Sequence, residues 1–350
     1  MSNSNHFCKM SPAVEVGTVD EDSVRYDVWG FENRVSNESP HRILPEKVHR
    51  GRVRKWREML DHWDEWKGKK PDKIVSRACK GIPSELRGEA WYCLCGAKSL
   101  QSLYPDLYEN CRQQSATLAV VDQIGRDIDR TFPDHILLST EEGQEALRRI
   151  LLAYAVYQPL VGYTQGMGFL AAVLLMHMEE DQAFYTFLML IEVYFVGYFS
   201  DGLKQLTHDT EMLDILLEKK GNSLKKTMNK LGVKSLFFTP QHWMSLFSVS
   251  LPWPSVLRVW DQFLAIGPKI FFVATFAVLE GVQADIKARK STYPEALQLF
   301  IRVEPAQAHE NLLTARMAKW SEKLSPKLLL KVHIKADEKR QHSRKSKSRT

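Results

Sequence analysis

Two short clusters in this 350-residue chain carry side chains able to do chemistry in otherwise apolar surroundings. In Ile124-Gly-Arg-Asp-Ile-Asp-Arg-Thr-Phe-Pro133, Asp127 and Arg130 stand three apart, so on a helix they share a face and can pair. Pro133 predicts the end of that helix, which leaves Arg130 near the terminus with a side chain long enough to project beyond it. A guanidinium so placed offers several directed donors to an anionic oxygen. Taken alone, the pair reads equally well as a surface ion pair. In Gly162-Tyr-Thr-Gln-Gly-Met-Gly168, three glycines surround Gln165. They let backbone approach closely and leave the carboxamide free to point outward, where it can both donate to and accept from a water molecule. Taken alone, that segment is a turn between helices.

The elements that must hold these clusters read as helices. Val53, Trp56, Leu60 and Trp63 recur at three- and four-residue steps, predicting one apolar face on a helix from Pro45 that Lys67-Gly-Lys-Lys-Pro71 ends. Ser139-Thr-Glu-Glu142 has the form of a capping box ahead of Leu147, Ile150, Leu151 and Tyr154. Pro254 and Pro268 sit where first helical turns would begin. Residues 150–178 carry no Lys, Arg, Asp or Glu, but one proline, three glycines and two glutamines interrupt the run. Two buried helices joined by a polar turn fit that pattern better than a membrane span. The stretch Phe184 to Phe199 reads as core. From 84 to 334 the punctuation is by glycine and proline rather than by alternation, so the expected class is all-α.

In order, the chain contains Gly81-Ile-Pro-Ser-Glu-Leu-Arg-Gly-Glu-Ala-Trp91, Ile124-x-x-Asp127-x-x-Arg130 and Tyr163-Thr-Gln-Gly-Met167. Trp243-Met-Ser-Leu-Phe247 and Leu251-Pro-Trp-Pro-Ser-Val-Leu-Arg-Val-Trp-Asp261 follow, with Gly267. This set resembles the TBC domain of Rab GTPase-activating proteins, and its aromatic segments are most similar to the carabin-like branch. The resemblance implies a V-shaped, two-lobed helical domain over 79–290, with a helical extension at 46–78 and further helices at 291–335 packing on it. Segment 1–45 is expected to be loose, with an aromatic island at 26–31 that can dock on the body, and 336–350 to be a basic disordered tail. The resemblance also implies a groove that receives a GTP-bound Rab. Arg130 falls on the family's arginine finger and Gln165 on its glutamine finger. Asp127 would orient Arg130, while Tyr163, Gly166 and Met167 would shape the loop and Arg87 and Trp91 would brace the fold beneath. Arg258, Trp260 and Asp261 are expected to be structural. Where the family's commonest loop has cysteine, this chain has Thr164; retention of both fingers implies activity, with the rate open to change. A non-catalytic Rab-binding scaffold using the same groove is the alternative, and it would be free to lose both fingers.

Charge and composition narrow the partners. Lys and Arg total 48 against 42 Asp and Glu, but residues 339–350 hold six of the bases and no acid, so the body is neutral. A basic surface for nucleic acid is therefore not expected. The tail is a candidate for peripheral contact with anionic endosomal or plasma membrane or for a nuclear address, the alternative being a solvated end. No G-x-x-x-x-G-K-[ST] motif occurs; Gly221-Asn-Ser-Leu-Lys-Lys-Thr227 lacks the second glycine. No cofactor is expected in this chain, and GTP and Mg²⁺ would come with the partner. Five cysteines (8, 79, 93, 95 and 111) form no C-x-x-C pair and no His pair follows at ligand spacing, so no metal is expected. The start, Met1-Ser-Asn-Ser-Asn-His6, lacks the pattern of a signal peptide, and a reducing cytoplasm is the expected location.

Overall fold

The computed structural model describes residues 26–32 and 45–347. The expected looseness of 1–25 and 33–44 and the last residues of the tail, 348–350, lie outside them. The described residues form helices and no sheet; two isolated β-bridges, Tyr26 to Glu32 and Phe31 to His135, are their extended pairings. The first helices are α1 (Glu46–Asp61), α2 (Trp63–Lys69), α3 (Pro71–Lys80), α4 (Arg87–Leu94), α5 (Ala97–Leu103) and α6 (Leu107–Arg112). Next come α7 (Leu118–Ile128), α8 (Glu141–Tyr157), α9 (Met167–Leu175) and α10 (Glu180–Met189), the last running on into a π-turn at Leu190–Tyr194. The second half has α11 (Lys204–Lys220), α12 (Asn222–Leu231), α13 (Thr239–Met244), α14 (Trp253–Ile266) and α15 (Lys269–Arg289). It closes with α16 (Tyr293–Ile301), α17 (Pro305–Ala308), α18 (Glu310–Lys323) and α19 (Pro326–Lys347).

Two helices organise the packing. In the first half α10 touches α4, α5, α6, α8 and α9; in the second α15 touches α12, α14, α16, α17 and α18. The halves meet where α14 lies against α3 and α4. Every residue of α9 but Phe169 is buried, which explains why its apolar run shows no amphipathic period: it has no solvent face. The uncharged run 150–178 is accordingly two core helices with a turn between them, and among the described residues no helix is long and apolar enough to cross a membrane. The stretch 184–199 is core except at Val193 and Val196, which are exposed where the π-turn swings outward.

Several expectations shift. The helix expected from Pro45 to Pro71 is two helices broken at His62, although Trp56, Leu60 and Trp63 do form its buried face. Pro71 then opens α3, since a proline at the first position lacks only an N–H that would be unpaired anyway. The extension does not separate from the domain near 78: Arg258 on α14 donates to the Cys79 carbonyl at 2.7 Å, and Arg52 on α1 to that of Lys80 at 2.8 Å. The cap of α8 is Thr140, not Ser139; its hydroxyl accepts from Gly143 N at 3.1 Å, and with glycine at that position no reciprocal carboxylate bond forms. Pro254 lies in the first turn of α14, and Pro268 is the cap of α15. The segment from 336, expected as a loose tail, continues α19 to Lys347. Val332 and Ala336 are wholly buried on this helix, which packs on α11, and the tertiary contact overrides the solvating charge beyond it.

Candidate functional site

The helix carrying the first cluster stops earlier than the sequence predicts. α7 ends at Ile128, so Arg130 sits in the turn beyond it rather than on its last turn. Thr131 N donates to the Ile128 carbonyl at 2.9 Å and Thr131 Oγ1 to that of Asp127 at 2.7 Å, closing the helix end. Phe132 then takes a left-handed conformation, φ 49°, that a side-chain-bearing residue adopts only when its surroundings hold it. They do: its ring meets Phe31, Phe169 and Trp253 edge-on at centroid distances of 6.0, 5.4 and 5.8 Å. Phe31 belongs to the aromatic island, which does dock on the body. Glu32 N donates to the Asp134 carbonyl and Ile136 N to that of Gly30, each at 2.8 Å, while His135 Nε2 lies 3.0 Å from the Trp29 carbonyl. Burial pushes the His135 pKa down to about 4, so the ring is neutral and Nε2–H donates, Nδ1 accepting from Leu137 N. The turn presenting Arg130 is thus clamped by a segment a hundred residues earlier, a role the motif alone could not reveal.

Asp127 joins the two clusters. Its Oδ1 accepts from Arg130 Nη2 at 2.6 Å, and its Oδ2 from the Tyr163 hydroxyl at 2.7 Å. Asp127 and Tyr163 are buried; the Arg130 side chain is 49% exposed and Gln165 is exposed. Burial first, and the adjoining carboxylate second, hold the Tyr163 phenol far above its ordinary range, so it stays a hydrogen-bond donor to Asp127. Two residues on from that anchor the chain reaches Gln165. Thr164 Oγ1 donates to the Phe199 carbonyl at 3.1 Å, a bond that a cysteine thiol would make only weakly. Met167 is wholly buried and starts α9, its sulfur accepting from Thr164 N at 3.4 Å. Five residues before Gln165, Leu160 is 96% exposed, an apolar side chain offered to solvent beside the polar tips.

Gly166 has φ 106°, outside the range open to side chains, yet a Cβ there would meet Met244 Cβ at only 3.5 Å, an ordinary contact. The requirement is conformational rather than steric. Gly166→Ala is expected to cost about 1–3 kcal/mol of stability through backbone strain, read as an earlier urea midpoint; an unchanged midpoint would show that the turn is not fixed.

Arg87 and Trp91 lie elsewhere in the interior. Both are buried and donate to Asp261 Oδ1, Arg87 Nε at 3.1 Å and Trp91 Nε1 at 2.9 Å, while Ile82 N reaches Oδ2 at 2.9 Å. The reading of both as braces holds, and their burial removes them from contact with a partner. The expectation of a structural Asp261 holds too, but not that it stays within the second half: it is the acceptor that ties α14 to α4. Trp91 packs on His177 at 4.8 Å, His177 on Trp253 at 6.5 Å and Trp253 on Phe132, so the brace reaches the turn behind Arg130. Burial pushes the His177 pKa down to about 3, keeping this aromatic chain uncharged. Cys79, Cys93, Cys95 and Cys111 are free thiols, and burial pushes Cys93 up to about 11 and Cys95 up to about 12, which leaves both unreactive.

Comparison with known proteins agrees with the motif order. The profile of the Rab-GTPase-TBC domain matches residues 84–287. Mouse TBC1 domain family member 10A is 38% identical over 261 residues, covering 73% of this chain and 52% of that protein. Mouse Carabin is 33% identical over 272 residues, covering 77% of this chain and 61% of its own length. The chain therefore spans only half to three fifths of these two curated relatives. Among solved structures, the Chlamydomonas flagellar RabGAP TBC domain superposes with TM-score 0.65 at 24% identity, over 84% of this chain and 99% of that one. The Ypt/Rab-GAP domain of Gyp1p gives 0.64 at 17%, over 79% and 99%. With the motifs in order, an all-helical fold and a profile match across more than half its length, this chain belongs to the Rab-GTPase-TBC domain family, alongside carabin-like relatives.

Proposed function

We propose that this protein accelerates GTP hydrolysis on a Rab-family GTPase by lending it Arg130 and Gln165. One observation carries the reading: a single buried carboxylate, Asp127, holds the Arg130 guanidinium and anchors the loop two residues before Gln165, while both tips remain accessible. Charge develops on the transferred phosphoryl oxygens as the bond to the leaving group loosens, and a planar guanidinium answers it with paired donors. The Gln165 carboxamide accepts one proton of the attacking water and donates to its neighbour, fixing the line of approach. GTP and Mg²⁺ arrive with the partner, and this chain contributes no cofactor. The working location is the cytoplasm, with the basic end of α19 available to anionic endosomal or plasma membrane.

The test is single-turnover hydrolysis across a panel of GTP-loaded Rabs, with wild type and Gln165→Ala. Loss of water alignment is expected to reduce stimulation by about 10²-fold, with the melting transition unmoved because the side chain is exposed. The scaffold reading predicts the reverse pattern: a Rab bound by wild type and variant alike, with no stimulation from either.

A further inference from the structure

Away from Arg130 and Gln165, three side chains converge where α19 packs on α11. His208, on α11, is only 3% exposed. Its Nδ1 lies 3.1 Å from Asp209 Oδ1, and Asp209 is itself fixed by Gln205 Nε2 at 2.9 Å and the Tyr198 hydroxyl at 2.6 Å. With hydrogen on Nδ1, the Nε2 lone pair faces α19. There it stands 3.1 Å from Asp337 Oδ1, unaligned for a hydrogen bond and with no other partner. Four residues before Asp337 on the same helix, His333 Nε2 lies 3.4 Å from Asp337 Oδ2. The three ligand atoms fall within 4.8 Å of one another.

A lone pair held against a carboxylate oxygen is repulsive unless a cation lies between them. We propose that His208, His333 and Asp337 form a site for a transition-metal dication of the zinc class, clasping α19 to α11. Four tetrahedral bonds of 2.0–2.2 Å place neighbouring ligand atoms about 3.3–3.6 Å apart, close to the 3.1 and 3.4 Å seen here. Imidazole and carboxylate are the donors such an ion takes, with water at the fourth position. Asp209 supplies the carboxylate that fixes the tautomer of a ligating histidine. The neighbouring cation, Arg340, is matched by Glu211 Oε2 at 3.1 Å and the Lys204 carbonyl at 3.1 Å. The side chains of His333 and Asp337 are 49% and 50% exposed, so an ion can enter. The i, i+4 pair on α19 is visible in the sequence; His208 lies too far back along the chain for spacing to connect it, which is why no metal was expected.

The experiment titrates the chelator-treated full chain with ZnCl₂ by calorimetry and with CoCl₂ by visible absorption, for wild type, His333→Ala and Asp337→Asn. Expected are one equivalent of Zn²⁺, a cobalt spectrum free of thiolate charge transfer, and at least tenfold weaker binding in each variant. At zinc a hundredfold above Kd, the wild-type melting temperature should rise by about 4 °C, and that of His333→Ala should not. Because His333 is half exposed, its variant should fold, so lost binding cannot be blamed on unfolding. Sub-stoichiometric binding, undiminished affinity in both variants, or a thiolate spectrum that places the metal on cysteine would each overturn the site.

Discussion

Arg130→Ala should lower the stimulation of GTP hydrolysis by about 10³–10⁵-fold, the range of an arginine finger supplied in trans, or roughly 4–7 kcal/mol of barrier. Arg130→Lys should be nearly as damaging. Lysine keeps the positive charge but replaces a planar fork of donors by a hydrated point charge that cannot span two phosphoryl oxygens. The two variants therefore separate electrostatics from geometry: if charge alone sufficed, lysine would restore most of the rate. Stability should barely move. The Arg130 side chain is half exposed and its pair with Asp127 spans three residues in one turn, so its loss is worth at most about 1 kcal/mol. Single-turnover rates and a denaturation curve on the same preparation decide the matter. A variant with wild-type stimulation would remove Arg130 from the chemistry, and a variant that fails to fold would recast it as structural.

Asp261→Ala is expected to destabilise the fold by about 3–5 kcal/mol without touching either finger. Its carboxylate is wholly buried and accepts from Arg87 Nε, Trp91 Nε1 and Ile82 N. Removing it strands the Arg87 guanidinium, which would keep only its bond to the Ile82 carbonyl at 2.7 Å, and leaves two further donors without acceptors. The double variant Arg87→Met with Asp261→Ala should be milder than additivity predicts, because the stranded charge disappears with its partner. Urea unfolding of the two single variants and the double variant measures the coupling directly. Full additivity would mean that the pair contributes nothing beyond packing.

The residues that do the proposed chemistry were legible because their types are rare in their surroundings and their spacings are local. Asp127 and Arg130 at three, Arg87 and Trp91 at four and glycines flanking Gln165 are patterns set by the pitch of a helix or the freedom of a turn. The all-helical class followed in the same way, from apolar steps and from proline and glycine punctuation. Helix ends were less secure. α7 closes two residues before Arg130 because Thr131 turns back on it and an aromatic cluster holds Phe132, and that cluster includes Phe31 from a segment with no periodicity. The end of α19 went wrong for the converse reason: local charge argued for solvation, but Val332 and Ala336 bury against α11.

By itself, then, the sequence determined which side chains could act and that helices would carry them, since both depend on neighbours within a turn or two. Only the tertiary structure decided that Asp127 would hold Arg130 and Tyr163 at once, that Asp261 would receive donors from α4, and that His208 would face His333 and Asp337. Each of those is a contact between residues far apart in the chain. Such a contact is fixed by how apolar faces stack and by the need of every buried charge for a partner, and spacing along the chain does not record either.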